Sequence, residues 1–325
     1  MTPTSISAPL LVLGNTVADV LVRPIEQFPA PGLSIHVDGI ELAFGGCGAH
    51  TANTAAKLGV PTRLLSTLGD DSVSALVRAQ LARNPLLELD GVALLPAART
   101  STTVVLIGAG GERSFVCYSG ASGRMTREML PAGFPEGARA FHYAGFALLP
   151  GLVGDTAAGL FRLARAAGAT TSMDVAWKHG FDHRAAILPS LPYLDFAMPN
   201  VDEACRISGE ISGPAAARWL AGHGVGTALV TGGGDGVWWA SRDGSGGHQP
   251  AFRVDVVDTT GAGDAFAGAF LAATVLAPTE PRFRTLESRV RLAQAAGALT
   301  CTAVGGDAGV RGMQQLLEFE ASRQG

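Results

Sequence analysis

Short β-rich runs alternate with alanine-rich helical stretches along this 325-residue chain, and that alternation limits its fold more than any other feature. "LLVLG" (10–14), "AHTANTAAKLG" (49–59), "RLLSTLG" (63–69) and "SVSALVRAQLAR" (72–83) begin it, and "TTSMDV", "AAARWLAGHG" and "TALVTGG" continue it. Strand, helix, strand in this order calls for right-handed crossovers, hence an α/β fold with a mainly parallel sheet and helices on both faces. No fixed-period repeat or low-complexity linker interrupts it, so residues 1–325 read as one domain. With 47% hydrophobic and 16% charged residues, the chain can bury a sizeable core.

Two stretches break the rhythm. "SIHVDGIELAFGG" (34–46) and "TSTTVVLIGAGGERSFVCYSG" (100–120) have strand character without an intervening helix, and the second reads as a hairpin around Gly108 to Gly111. Segments 34–44 and 100–119 are therefore expected to form a small β-sheet beside the main one. Either it is an ordinary edge hairpin or it is a lid, which would keep water from a transferring group.

A net charge of -4 with scattered basic residues lacks the positive stripe that nucleic acid demands. Cys47, Cys117, Cys205 and Cys301 lie far apart with no CxxC pair, which argues against a zinc knuckle or a disulfide framework and suits a reducing cytoplasm. The opening "MTPTSISAPLLVLGN" has no charged n-region, and Ala265 to Ala277 is too short an apolar run to span a bilayer. A soluble protein, without membrane or nucleic-acid partners, is expected.

"VDTTGAGDAFAGAF" (257–270) follows a strand-like run, "AFRVDVV" (251–257), and leads into an apolar helical stretch from 265 to 277. Small residues at such a turn let a ligand approach the backbone, and the N–H groups of Ala262, Gly263 and Asp264 at the positive end of a helix dipole would make an anion site. No Gly-Lys pair exists anywhere, the only lysines being Lys57 and Lys178, so a Walker-type loop is excluded. GxGxxG fails at each candidate turn, which leaves a Rossmann dehydrogenase little support. Asp264 is either a helix N-cap or a carboxylate within reach of a substrate hydroxyl.

"DTTGAGDAFAGAF" resembles the C-terminal signature of the ribokinase-like, phosphofructokinase-B type carbohydrate kinases. "GGCGAHTANTAAKLG" (45–59) is similar to that family's N-terminal glycine signature, "NVDE" (200–203) to its N-x-x-E motif and "VTGGGDGVWW" (230–239) to its nucleotide motif. The resemblance implies an ATP-dependent kinase acting on a hydroxymethyl group of a sugar or sugar-like substrate. It makes Asp264 the base, Gly261, Ala262 and Gly263 the anion hole, and Asn200 and Glu203 the pair that meets Mg2+ through water. Taken alone, Asn200 and Glu203 are also ordinary capping partners. Thr231, Gly233, Gly236, Gln294 and Gly305 fall on nucleotide-side positions, Asp19, Gly45 and Gly46 on sugar-side ones. Asp258 matches a residue that supports a monovalent cation, K+, in several members. The resemblance also allows a homodimer through an exposed lid face, which no residue pattern decides.

The chain departs from the family where His50 stands in place of a sugar-holding asparagine, with Asn53 three residues on as a candidate substitute. Val17 and Cys47 occupy positions that ribokinases proper give to Asn and Lys, so ribose is not the expected acceptor. Lys178 in "DVAWK" stands where fructokinases carry Arg and is either solvated surface or a contact for an acidic or phosphorylated substrate. His179 and His183 have helical metal-ligand spacing, but Gly180 between them makes this a loop coincidence. Two other readings remain: a nucleoside kinase of the same fold, and a non-catalytic sugar or nucleotide sensor.

Overall fold

A computed structural model describes residues 9–108, 112–306 and 308–323. The strands are β1 (Leu10–Leu13), β2 (Val17–Ile25), β3 (Gly39–Gly45), β4 (Thr62–Gly69), β5 (Leu87–Glu88), β6 (Val92–Leu95), β7 (Thr102–Gly108), β8 (Arg113–Tyr118), β9 (Ala140–Phe146), β10 (Thr170–Val175), β11 (Phe196–Ala197), β12 (Thr227–Thr231), β13 (Val237–Ser241) and β14 (Gly246–Gln249). The helices are α1 (Cys47–Lys57), α2 (Ser72–Leu81), α3 (Asp155–Ala166), α4 (His183–Ile187), α5 (Val201–Ser208), α6 (Gly213–Gly222), α7 (Ala262–Leu276), α8 (Leu286–Thr300) and α9 (Met313–Ala321).

The main sheet has ten strands in the order β14-β13-β12-β11-β10-β9-β1-β4-β5, with β6 also pairing with β4. Its pairs are parallel from β5 to β12, and the antiparallel β13 and β14 close one edge. β1 shows why these runs lack polar alternation. Leu10 and Val12 enter the core under α1, α2, α7, α8 and α9, whereas Leu11 and Leu13 enter the core under α3, α4, α5 and α6. A strand covered on both faces buries every side chain. α7 is apolar all round for the same reason, and at Gly268 it comes so close to α1 that a Cβ would press on the Thr51 carbonyl.

From β1 the strand order runs outward in both directions, to β4 on one side and to β9 and β10 on the other. This is the switch point at which open α/β sheets form a crevice beyond the strand carboxyl ends. Over that crevice stands a separate four-stranded sheet, β3-β2-β7-β8. Its existence matches the expectation, but its composition does not: β2 is one of its two inner strands, and residues 34–38 lie outside β3. Asp19, expected at the end of the first strand, therefore belongs to the small sheet. The reason is Gly14, which turns the chain out of β1 where it crosses Gly48 of α1 with no room for a side chain. The expected hairpin turn at 109–111 and the opening residues 1–8 lie outside the described residues.

The strand expected at 251–257 is absent. The antiparallel pair β13–β14 already occupies that edge of the main sheet, so the segment runs irregularly to the end of α8, where the Val257 and Asp258 N–H groups both donate to the Cys301 carbonyl at 2.8 and 3.1 Å. Among the described residues, no helix is long and apolar enough to cross a membrane.

Candidate active site

Side chains alternate across the small sheet, and its inner face presents Asp19 and Leu21 of β2, Ala43 of β3, Thr103 of β7 and Arg113 of β8 to a cavity of about 460 Å³. That volume falls in the range of small-molecule sites. The floor comes from the first turn of α1, with Cys47 and His50, and from the glycine turn, with Thr260 and Asp264.

Gly261, not Asp264, is the N-cap of α7. Its φ of 73° is left-handed, and a Cβ there would strike the Gly306 backbone, so glycine is required on both counts. Asp264 is the third helical residue and opens on the cavity. The Ala262 N–H turns back to the Thr259 carbonyl at 3.2 Å, which takes it from the expected anion site. Gly263 and Asp264 remain in the first turn, whose N–H groups have no intrahelical acceptor. Nothing lies within 4 Å of where a Gly263 Cβ would be, so the turn stays open to a ligand.

Burial pushes the Asp264 carboxyl up to about 6, and the Asp174 carboxylate adds to the rise; His50 and a hydrogen bond from the Cys47 thiol oppose it. Asp174, at the end of β10, carried no role in the sequence reading. It accepts from the Gly145 N–H and meets His142 Nε2 at 3.1 Å, while His142 Nδ1 meets Ser172 Oγ at 2.9 Å. Burial likewise pushes Glu203 up to about 7; the Asn200 N–H works against this, and Asp174, Asp264 and Asp202 reinforce it. Asp174, Glu203 and Asp264 thus form a mutually repelling set of carboxylates. Burial drives the Cys47 thiol well above its ordinary range, with Asp264 and Asp174 adding to the effect, so the thiol stays protonated and can donate to Asp264.

On the small sheet, burial pushes Asp19 up to about 6 against the pull of Arg113. Its carboxylate leans over Gly45, where a Cβ would collide with it, and Gly46 caps α1 at φ 98° beneath the Asn15 carbonyl. His50 is buried and packs against Phe44 with ring centroids 5.2 Å apart. Its Nδ1 finds no partner among the described residues.

Asn53 does not share this wall. Three helical residues turn about 300°, which leaves it about 60° away from His50, and its Oδ1 accepts from Asn84 Nδ2 at 3.0 Å. Lys178 is exposed and outside the cavity, where Ala176 and Trp177 stand instead. His183 pins this loop by accepting the Lys178 N–H at 3.1 Å and stacking on Trp177, a local task that explains its spacing from His179.

Asn200 and Glu203 make a reciprocal capping box: each side chain accepts the other's N–H at 2.9 Å. The cap uses Oε2 of Glu203 and leaves its second oxygen outside. A bridge between Asn200 and Thr231 joins this motif to the nucleotide-motif turn, in which Gly233 and Gly236 take φ values of 57° and 92°. Gly236 also has to admit the Gln249 carbonyl. The Gln294 amide donates to the carbonyls of Gln249 and Pro250 at 2.9 and 3.1 Å, tying α8 to the exit of β14. Gly305, expected on the nucleotide side, borders the cavity beneath the small sheet and donates its N–H to Asp258 at 2.9 Å.

The family model for pfkB family carbohydrate kinases matches residues 8–311. A ribokinase of Staphylococcus aureus is 28% identical over 277 residues, 81% of this chain and 85% of its own. Fructokinase-2 of Zea mays is 32% identical over 249 residues, 74% of each chain. The structure of Arabidopsis thaliana ribokinase complexed with ribose and ATP superposes with a TM-score of 0.83 at 26% identity, covering 96% of this chain and 98% of that one. Sequence, fold and glycine turn agree: this chain belongs to the pfkB family and is a carbohydrate kinase.

Proposed function

We propose that the protein transfers the γ-phosphoryl group of Mg-ATP to a hydroxymethyl group of a sugar or sugar-like acceptor held beneath the small sheet. The carrying observation is that Asp264 opens on the same cavity as Asp19 while standing in the first turn of α7. A carboxylate there can take the hydroxyl proton as the hydroxyl oxygen bonds to phosphorus and the bond to the ADP oxygen breaks, and the first-turn N–H groups stabilise the charge on the transferring group. Asp19 and His50 grip the acceptor, and the small sheet acts as the lid that excludes water. The Thr231–Gly236 turn serves the nucleotide side in this reading.

Among the described residues no three His, Cys, Asp or Glu side chains group closely enough to hold a metal ion directly. Glu203 and Asn200 would hold Mg2+ through water, and the ion would neutralise phosphate charge. Phe44, Phe115 and Trp177 on the cavity wall favour a nucleoside acceptor as the second reading. The outer face of the small sheet, where Ile40, Leu42, Val116 and Tyr118 are exposed, supports a homodimer. Four unpaired thiols support a reducing, cytoplasmic setting.

The test is ADP release with Mg-ATP across ketoses, aldoses, sugar acids, sugar phosphates and nucleosides, with Asp264→Asn as the blank. Acceptor-dependent turnover that falls by about 10²–10⁴ in the variant supports the base assignment. Near-wild-type turnover in the variant removes Asp264 from that role.

A further inference from the structure

Asp258 opens the signature segment, and the family resemblance makes it the support of a monovalent metal ion. Its carboxylate is already engaged. Oδ1 accepts the Thr260 N–H at 2.9 Å, and Oδ2 accepts the Gly305 N–H at 2.9 Å and pairs with a guanidinium nitrogen of Arg113 at 2.5 Å. The other terminal nitrogen of Arg113 donates to Thr260 Oγ1 at 2.5 Å. Side-chain exposure is 14% for Arg113 and 2% for Asp258, so this is a buried ion pair. Three of the roughly four acceptor positions of a carboxylate are thus filled, one of them by a full positive charge. A metal ion on the same oxygens would displace the guanidinium or leave an uncompensated positive charge in a buried place.

We infer that the Arg113 guanidinium is the cation of the Asp258 site, a tethered counterion supplied by the small sheet, and that this protein needs no monovalent metal there. Asp258 holds Thr260 and Gly305, the two residues that flank the glycine turn in space, so the ion pair shapes the turn that leads into Asp264. A guanidinium suits this task better than an ammonium because its planar fork reaches Asp258 and Thr260 at once. It also sits on β8, across the cavity from α1, so the charge reaches the turn only while the small sheet lies over it. Arg113 is a positioning residue here: it acts on the turn through Asp258 and Thr260. The inference rests on the kinase reading only for its activity arm.

The experiment compares wild type, Arg113→Ala and Arg113→Gln in KCl and in choline chloride at equal ionic strength. Thermal unfolding is measured without nucleotide or acceptor, and turnover is measured with the best acceptor from the panel. Wild type should unfold at the same temperature in both salts and turn over at rates within about twofold. The variants should lose roughly tenfold or more in choline, because a buried carboxylate is left unpaired, and should recover both turnover and unfolding temperature with K+ or with dilute guanidinium. Wild-type turnover or unfolding temperature that depends strongly on K+ overturns the inference, as does a variant that K+ and guanidinium leave unchanged. If no acceptor of the panel is turned over, the unfolding measurements alone decide the inference.

Discussion

The two glycines that flank Ala262 in the glycine turn should respond to alanine in opposite ways. At Gly263 the backbone is already helical and a Cβ meets no atom within 4 Å, so Gly263→Ala removes unfolded-state freedom without strain. That should add up to about 1 kcal/mol of stability, and a rise in Tm of roughly 1–3 °C for a chain of this size. The same methyl group, however, fills space that a phosphoryl group needs in order to approach the first-turn N–H groups. Displacing the reacting atoms by about 1 Å lowers kcat by about 10²-fold. At Gly261 the φ of 73° disfavours alanine by about 1 kcal/mol or more, and the collision with the Gly306 backbone adds overpacking of about 1–3 kcal/mol. Gly261→Ala should therefore lose about 2–4 kcal/mol together with activity. Calorimetry and steady-state kinetics on the two variants decide the matter. A Gly263→Ala protein that is more stable and turns over like wild type would mean that no anion binds at this turn.

Three further predictions concern charge and acceptor choice. Asp19 and Asp264 are pushed up to about 6 and Glu203 up to about 7, so the folded chain binds these protons more tightly than the unfolded one. Their contribution to stability is complete below about pH 4, the ordinary carboxyl range, and is lost as pH rises through 6 to 7. Without ligands Tm should fall across that window, and Asp264→Asn should unfold at a higher temperature than wild type at pH 8; a lower one refutes the sign. By contrast, kcat should fall as pH drops below about 6, when Asp264, the proposed base, becomes protonated. His50→Asn should change the ranking of acceptors while leaving the KM for ATP within about twofold, because His50 borders the cavity proposed for the acceptor. A shift confined to ATP places His50 elsewhere.

Much of this molecule is legible in short windows of sequence. The double-sided burial of β1 appears as an unbroken apolar run, the capping box of α5 as Asn200 and Glu203 three apart, and the glycine turn as small residues ahead of an all-apolar helix. These features depend on backbone period and on partners a few residues away, so composition and spacing carry them. What lies beyond a window depends on which strands become neighbours. Arg113 meets Thr260 across 147 residues because the small sheet folds back over the strand ends. Asp174 adds its charge to Asp264 because β10 lies next to β9 beside the same crevice. Asn53 turns from the cavity to Asn84, and Trp177 rather than Lys178 reaches the wall, because a helix rotation and one loop anchor select which side chain points inward. Local sequence encodes elements, turns and the residues able to do chemistry; the meeting of charges that share no segment of chain arises only when packing sets strand order and buries them together.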